Sequence, residues 1–158
     1  MSNLLEKARS YETEKLIHMD LDKKPLFHIS APTGWINDPN GFSVYDGKVH
    51  LFYQYYPYDK VWGPMHWGHS VTTDMICWEQ LPVALAPDQE YDKIGCFSGS
   101  AIEAEGKHVL VYTGVTKIKL NDGSEQERQN QCIAFGDGKD YIKYEKNPVL
   151  TGDLLPDG

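Results

Sequence analysis

Residues 43–55 (SVYDGKVHLFYQY) and 101–114 (AIEAEGKHVLVYTG) are two copies of one pattern. In each copy a Gly-Lys pair stands between two runs of alternating apolar residues, which is typical of a β-hairpin. Gly47 and Tyr53 of the first copy match Gly106 and Tyr112 of the second at a constant spacing of 59 residues. The sequence therefore predicts an internal repeat that is built from strands.

The repeat extends beyond the hairpins. Trp78 and Glu79 match Tyr144 and Glu145 at a spacing of 66 residues, which is seven more than in the hairpins. The additional residues lie in the polar segment 119–129, KLNDGSEQERQ. Because loops tolerate insertions, we expect this segment to be a loop.

Each unit contains four strand-forming segments separated by turn signals. In the first unit they are WINDPNGFSVY (35–45), KVHLFYQYY (48–56), HWGHSVTTD (66–74) and ICWEQLPVAL (76–85). In the second they are FSGSAIEA (97–104), HVLVYTGV (108–115), NQCIAFGD (130–137) and YIKYEKNPVL (141–150). Four-stranded units that repeat every 50 to 70 residues, roughly, are typical of β-propeller blades. We predict an all-β fold with one blade over 26–90 and a second over 91–158.

Residues 1–25 form an N-terminal leader with one helical segment, residues 3–17. Leu4, Ala8 and Tyr11 recur at helical spacing, and Asn3 and Glu6 are placed like a capping box. We expect a short helix on the outside of the β body. The leader contains no long apolar run and no cleavage site, so we expect a cytoplasmic protein without a membrane span.

Composition limits the function classes. The chain has 41% hydrophobic and 24% charged residues, as soluble globular proteins do. Its net charge is -8, with 15 basic against 23 acidic residues, which argues against nucleic acid or an anionic membrane as partner.

Cysteine and histidine spacing gives no metal or cofactor signature. Cys77, Cys96 and Cys132 match neither a disulfide framework nor a paired zinc motif, and we expect reduced core residues. His66 and His69 are three apart on a predicted strand and therefore point to opposite faces. No metal and no cofactor are expected.

WINDPNG (35–41) allows two interpretations of Asp38. Asp-Pro and Asn-Gly are turn signals, so the residue either makes a turn or carries chemistry. Phe97 and Ser98 hold nearly the position in the second unit that Asn37 and Asp38 hold in the first. Because the innermost strands of propeller blades start on the same face, these residues should converge on one pocket. Aromatic rings beside short polar groups suit a sugar, although composition alone favours the simpler explanation that strand-rich proteins are rich in Tyr and Trp.

Several motifs, in order and in register, resemble one family. HISAPTGWINDPNGF (28–42), FYQYYP (52–57), WGPMHWGHSVTTDMICWEQLPVAL (62–85) and FSGSA (97–101) are similar to the N-terminal part of glycoside hydrolase family 32. The most similar members are bacterial sucrose-6-phosphate hydrolases and β-fructofuranosidases. The resemblance implies a five-bladed β-propeller with a C-terminal β-sandwich, and retaining hydrolysis of β-fructofuranosides such as sucrose or sucrose 6-phosphate.

The resemblance also implies roles for particular residues. Asp38 matches the catalytic nucleophile that attacks the anomeric carbon of fructose. The positions that match the fructose pocket are Asn37, Gln54, Trp62, Phe97 and Ser98, and Trp35 supports them. The implied partner is a small carbohydrate.

The chain also departs from the family pattern. It contains neither the Glu-Cys motif of the general acid nor the Arg-Asp-Pro motif of the stabilising aspartate, and Tyr56 stands where the family commonly has Asn. Since general acid catalysis contributes about 10²- to 10⁴-fold, we expect the 158-residue chain alone to be inactive or nearly so. The alternative is a truncated, non-catalytic carbohydrate-binding or interaction protein. In either case two blades should leave an apolar face open and favour self-association.

Overall fold

The computed structural model describes residues 2–20, 24–25 and 27–152. The segment LLPDG (154–158) lies outside the described residues. So do residue 26, where the first predicted blade begins, and residue 158, where the second ends. The described elements are the helix α1 (Asn3–Ile17) and the strands β1 (Trp35–Tyr45), β2 (Lys48–Tyr56), β3 (His66–Thr72), β4 (Glu79–Leu85), β5 (Gly95–Ala104), β6 (Lys107–Lys119), β7 (Glu125–Gly136) and β8 (Tyr141–Lys143). A short 3₁₀ helix, Glu90–Asp92, precedes β5. The fold is mostly β.

The strands form two four-stranded antiparallel sheets in the orders β1-β2-β3-β4 and β5-β6-β7-β8. Each of the eight predicted strand segments overlaps one of these strands, so the internal repeat is confirmed. The matching hairpins turn at Asp46-Gly47 and Glu105-Gly106, where all four residues have positive φ (46°, 70°, 52° and 72°). Two consecutive positive φ values give the tight turn whose twist suits a two-residue hairpin.

The insertion in the second unit lengthens a hairpin and does not form the predicted loop. β6 and β7 remain paired from His108 with Gly136 out to Lys119 with Glu125. Only residues 120–124 make the turn, which the Leu120 amide closes by donating to the Ser124 carbonyl oxygen at 2.9 Å. The loop prediction was wrong because the side chains of this segment are mostly polar, so the alternation of apolar residues that indicates a strand is missing. Polar side chains do not prevent the backbones of two strands from pairing.

The two sheets share one hydrophobic core. Phe52, Trp67 and Leu85 of the first sheet pack against Leu110 and Tyr112 of the second, and all five are buried. The same core contains Cys96 and Cys132. Cys77 is exposed, so the expectation of three core cysteines was wrong for that residue, which lies in the turn before β4.

Helix α1 has the predicted bounds but a different cap and a different buried face. Ser2 is the N-cap, and its hydroxyl accepts a hydrogen bond from the Leu5 amide at 3.2 Å. The Asn3–Glu6 capping box is therefore not the cap that forms. The buried positions are Leu5, Ala8 and Glu12, whereas Leu4 is exposed.

The helix covers the outer edge of the first sheet. Arg9 Nε donates to the carbonyl oxygen of Val83 at 2.9 Å, and the amide of Val83 donates to Glu12 Oε2 at 3.2 Å. An outermost strand such as β4 otherwise presents unpaired backbone groups, which these two side chains satisfy. In the described part of the chain no helix is long and apolar enough to cross a membrane.

A buried ion network links the segment after β4 to the second sheet. Lys143 Nζ contacts Asp88 Oδ1 at 2.6 Å and Asp92 Oδ2 at 2.5 Å, and Tyr112 donates to Asp92 Oδ2 at 2.9 Å. Burial raises the pKa of Asp92, although the neighbouring Lys143 opposes this.

Several large apolar side chains remain exposed on the strands, among them Phe42, Val44, Ile102 and Ile142. Self-association through such surfaces stays a prediction.

Candidate active site

The candidate site lies where β1 and β5, the first strands of the two sheets, pack against each other. Gly41 of β1 marks this close approach: a Cβ added there would lie 2.7 Å from Phe52 Cδ2 and 3.2 Å from Ala101 Cβ. Nearby, the amide of Cys96 donates to the carbonyl oxygen of Met65 at 2.9 Å, which joins β5 to the segment entering β3. The sheets therefore meet along their first strands.

A β-bulge displaces Asn37 and Asp38 from the regular pairing of β1. Ile36 pairs with Tyr55 and Pro39 with Tyr53, so two residues of β1 stand opposite the single residue Gln54. A bulge bends the strand and redirects its side chains. The chain continues as strand β1 through DPNG and does not reverse direction there, so the turn interpretation of this motif was wrong.

The bulge explains how a proline fits inside β1. Bulges and edge strands are the places where a sheet tolerates proline, since no ladder hydrogen bond is lost there. Asn37 and Asp38 are both exposed, and Trp35 Nε1 donates to Asn37 Oδ1 at 2.7 Å. Trp35 thus holds the Asn37 side chain beside Asp38.

A buried pair of amide side chains supports the bulge from behind. Gln54 Nε2 donates to the carbonyl oxygen of Cys96 at 3.0 Å, which connects β2 to β5. The side-chain amide of Asn40 satisfies both of its polar atoms in one orientation. In it, Asn40 Oδ1 accepts from Gln54 Nε2 at 2.9 Å and Asn40 Nδ2 donates to the Pro39 carbonyl oxygen at 3.1 Å. Both amides are buried, so the bonds are shielded from water.

A second bulge lies at the matching position of β5. Phe97 pairs with Thr113 and Gly99 with Tyr112, which leaves Ser98 as an extra, exposed residue. Gly99 has no room for a side chain, because a Cβ there would lie 2.0 Å from the carbonyl oxygen of Val111. The two units therefore place exposed polar residues at equivalent bulges.

Aromatic side chains flank the second bulge. Trp62 is 52% exposed and meets Phe97 edge to face, with ring centroids 6.2 Å apart. The indole nitrogen of Trp67 donates to the Phe97 carbonyl oxygen at 3.1 Å and holds the backbone of this strand. An exposed indole beside a half-buried phenyl ring offers the apolar surface on which a sugar ring stacks.

Gln54 connects the strands that carry the predicted site residues: it lies opposite the bulge of β1 and donates to the carbonyl oxygen of Cys96, the residue before Phe97 and Ser98. Gln54 is itself buried, so its side chain has a structural role beside any contact with a ligand. The sequence analysis missed Asn40 and Trp67. Asn40 was assigned to a turn. The feature that could have identified it is its side-chain amide next to Pro39, which needs hydrogen-bond partners.

Other titratable groups near the site are poorly suited to chemistry. Burial raises the pKa of the Cys96 thiol well above its ordinary value, and a thiol held protonated is not a nucleophile. Burial also lowers the pKa of His66 to about 4. His66 and His69 are both buried, on opposite faces of β3, where His66 meets Tyr58 and His69 stacks on Phe52. Among the described residues no group of three or more His, Cys, Asp or Glu side chains could hold a metal ion.

The candidate residues line an open surface. A groove of about 770 Å³ lies at the other end of the sheets beside Tyr45 and Gly106, next to the two hairpin turns. Its position matches no bulge and none of the predicted site residues. The two bulges and their contacts therefore define the candidate site.

The chain belongs to glycosyl hydrolase family 32, since the model of the N-terminal domain of that family matches residues 28–157. The resemblance inferred from the motifs is thereby confirmed. A sucrose-6-phosphate hydrolase of Zymomonas mobilis is 49% identical over 130 residues, which are 79% of this chain and 25% of that relative. A levanase of Bacillus subtilis is 41% identical over 151 residues, 93% of this chain and 22% of that relative.

Solved structures give the same result for the fold. A Bombyx mori GH32 beta-fructofuranosidase superimposes with a TM-score of 0.82 at 45% identity, covering 96% of this chain and 31% of that one. A sucrose-6-phosphate hydrolase from Lactobacillus gasseri superimposes with a TM-score of 0.74 at 32% identity, covering 94% and 29%. The two sheets match a portion of the propeller of this family. The chain spans about a quarter of the length of the curated relatives it matches.

Proposed function

We propose that this chain supplies the nucleophile and part of the fructose site of a retaining β-fructofuranosidase that acts on sucrose or sucrose 6-phosphate. In this proposal its two sheets are the first two blades of a five-bladed propeller. The observation that carries the proposal is the bulge at Asn37 and Asp38, which exposes a carboxylate next to the contact between the sheets. Membership of the family supports it.

The proposed reaction has two steps. The Asp38 carboxylate attacks the anomeric carbon of the fructosyl unit, a C–O ester bond forms, and the glycosidic C–O bond breaks as the leaving oxygen takes a proton from a carboxylic acid. Water then gives a proton to that second carboxyl group, now a carboxylate, and attacks the anomeric carbon; the bond from this carbon to Asp38 breaks, which frees the Asp38 carboxylate and fructose with the original configuration. The acid is not among the residues that we assign to the site, so the second carboxyl group comes from elsewhere in the whole protein.

Substrate binding would use the aromatic and polar groups at the two bulges. Trp62 and Phe97 offer apolar faces to the C–H groups of the sugar, while Asn37 and Ser98 offer hydrogen bonds to its hydroxyls. Two relatives support a fructoside ligand. A mutant of the Bombyx mori enzyme is described in complex with sucrose, and a fructan 1-exohydrolase from Cichorium intybus in complex with 1-kestose.

The test is hydrolysis of sucrose and sucrose 6-phosphate by the full-length product that contains this chain. Asp38→Asn should lower kcat by several orders of magnitude, because an amide is a poor nucleophile. Asp46→Asn is the matched control: it changes an exposed aspartate in the β1–β2 hairpin turn and should leave kcat unchanged.

A second arm isolates the nucleophile from the acid. A fructosyl fluoride has a leaving group that departs without protonation, so the wild-type protein should form a fructosyl ester on the peptide containing Asp38, detectable by mass spectrometry. Full sucrose hydrolysis by Asp38→Asn, or an ester on another residue, would refute the proposed role. Sugar binding without hydrolysis in the wild-type protein would favour the non-catalytic alternative.

A further inference from the structure

The segment 57–65, which we call the Trp62 loop, joins β2 to β3 and carries an exposed aromatic side chain of the candidate site. Its two ends are attached to the first sheet. Thr33 Oγ1 donates to the carbonyl oxygen of Pro57 at 2.8 Å. At the other end Gly63 lies flat on the ring of Tyr56, where an added Cβ would come within 2.6 Å.

Between these ends the loop is held by helix α1. The rings of Tyr11 and Tyr58 meet edge to face with centroids 5.1 Å apart, and Tyr11 donates to the carbonyl oxygen of Tyr58 at 3.4 Å. Lys7 Nζ lies 5.3 Å from the centroid of the Tyr58 ring. The helix thus contacts both the side chain and the backbone of a residue four positions before Trp62.

Tyr58 is also part of a larger packed unit. It lies against the core cluster that contains Leu5 and Ala8 of α1 together with Tyr53 and Tyr55 of β2. A displacement of α1 would therefore move Tyr58. Only residues 59–61 separate Tyr58 from Trp62, so the backbone can carry such a movement to Trp62.

We propose that α1 positions the Trp62 loop through the contact of Tyr11 with Tyr58 and so sets the affinity of the candidate site for its sugar. Tyr11 is then a positioning residue. The helix lies outside residues 28–157, which the family model matches. The effect on the sugar rests on the proposed function, whereas the coupling of α1 to Trp62 does not.

The kinetic effect follows from the size of an aromatic contact. Such a pair favours the contact of helix and loop by a factor of about two to ten, so Tyr11→Leu should raise KM for sucrose by up to that factor. The value of kcat should change little, because Asp38 lies on β1 and not on the loop. Tyr11→Phe keeps the ring contact and should stay near the wild type, as a rescue of Tyr11→Leu.

A fluorine NMR experiment reads the coupling without any activity. The full-length product is labelled with fluorotryptophan, and the Trp62 resonance is assigned from its loss in Trp62→Phe. Tyr11→Leu should shift or broaden this resonance and leave that of Trp67 unchanged, because Trp67 is buried in the core between the sheets. Tyr11→Phe should leave both resonances in place.

The outcomes separate the two proposals. An unchanged Trp62 resonance in Tyr11→Leu would overturn the positioning role, whatever the kinetics. A general change in all resonances would mean that the variant is misfolded, and Lys7→Gln would then decide, because Lys7 is exposed and its loss should still shift Trp62. If Asp38→Asn kept full sucrose hydrolysis, the proposed function would fail while the resonance still tested the coupling.

Discussion

Glu12 should make the docking of α1 depend on pH. Its carboxylate is 4% exposed, lies against the edge of β4 and accepts a hydrogen bond from the Val83 amide. Burial raises the pKa of Glu12 from 4.5 to about 7, against the opposing effects of the Val83 amide, Tyr55 and Arg9. The folded protein therefore keeps a proton on Glu12 that the unfolded chain releases.

The sign and the size of the effect follow from this difference. The folded state binds the proton more tightly, so the contribution of Glu12 to stability is complete below pH 4.5 and decreases as the pH rises to about 7. At about 1.4 kcal/mol for each pH unit, the loss is about 3 kcal/mol above pH 7. Glu12→Gln retains an acceptor for the Val83 amide and has no charge to bury.

Urea unfolding of Glu12→Gln and of the wild type, measured at matched pH values, tests this reasoning. The unfolding free energy of the variant minus that of the wild type should increase by about 3 kcal/mol between pH 4.5 and pH 7.5. Other titrating groups cancel in this difference. Glu14→Gln, at an exposed position of the same helix, should show no such trend. A difference that stays constant with pH would refute a buried carboxyl group with a raised pKa.

Two further changes test the packing between the sheets. Gly41→Ala should lower the free energy of unfolding by about 1 to 3 kcal/mol, because Gly41 has a φ of 53° and its Cβ would collide with Phe52. Gly47→Ala, at a φ of 70° but in open space, should lower the unfolding free energy less than Gly41→Ala does. Both variants are measured by thermal unfolding, and equal losses would contradict the packing argument. Lys143→Met should destabilise by about 3 to 5 kcal/mol, since it leaves the buried Asp92 and the partly buried Asp88 without their cation. Lys93→Met, which removes an exposed ion pair, should have almost no effect on the urea midpoint, and a loss as large as that of Lys143→Met would argue against the buried network.

Local patterns were sufficient to predict the strands. Alternating apolar residues and the turns at Gly47 and Gly106 depend on near neighbours in the chain, so the repeat could be found without coordinates. The prediction failed for the hairpin of β6 and β7, where polar residues on both faces conceal the alternation.

The candidate site was only partly predictable. The motifs made Asp38 a candidate, but the bulge that exposes it depends on how β1 is paired with β2, and the same residues also suit a turn. The support of that bulge by Asn40, Gln54 and the Cys96 carbonyl requires that two sheets come together. No pattern within either strand encodes that approach.

The sequence by itself determined the family, the repeat and the helix over residues 3–17, and it made Asp38 the candidate nucleophile. The tertiary structure decided which face of α1 is buried, why Glu12 is enclosed against Val83, and how Tyr11 reaches Tyr58. The physical reason is that secondary structure follows from interactions between residues close in the chain. Burial, strand register and contacts between elements depend on partners that are distant in the sequence and become neighbours only in the folded protein.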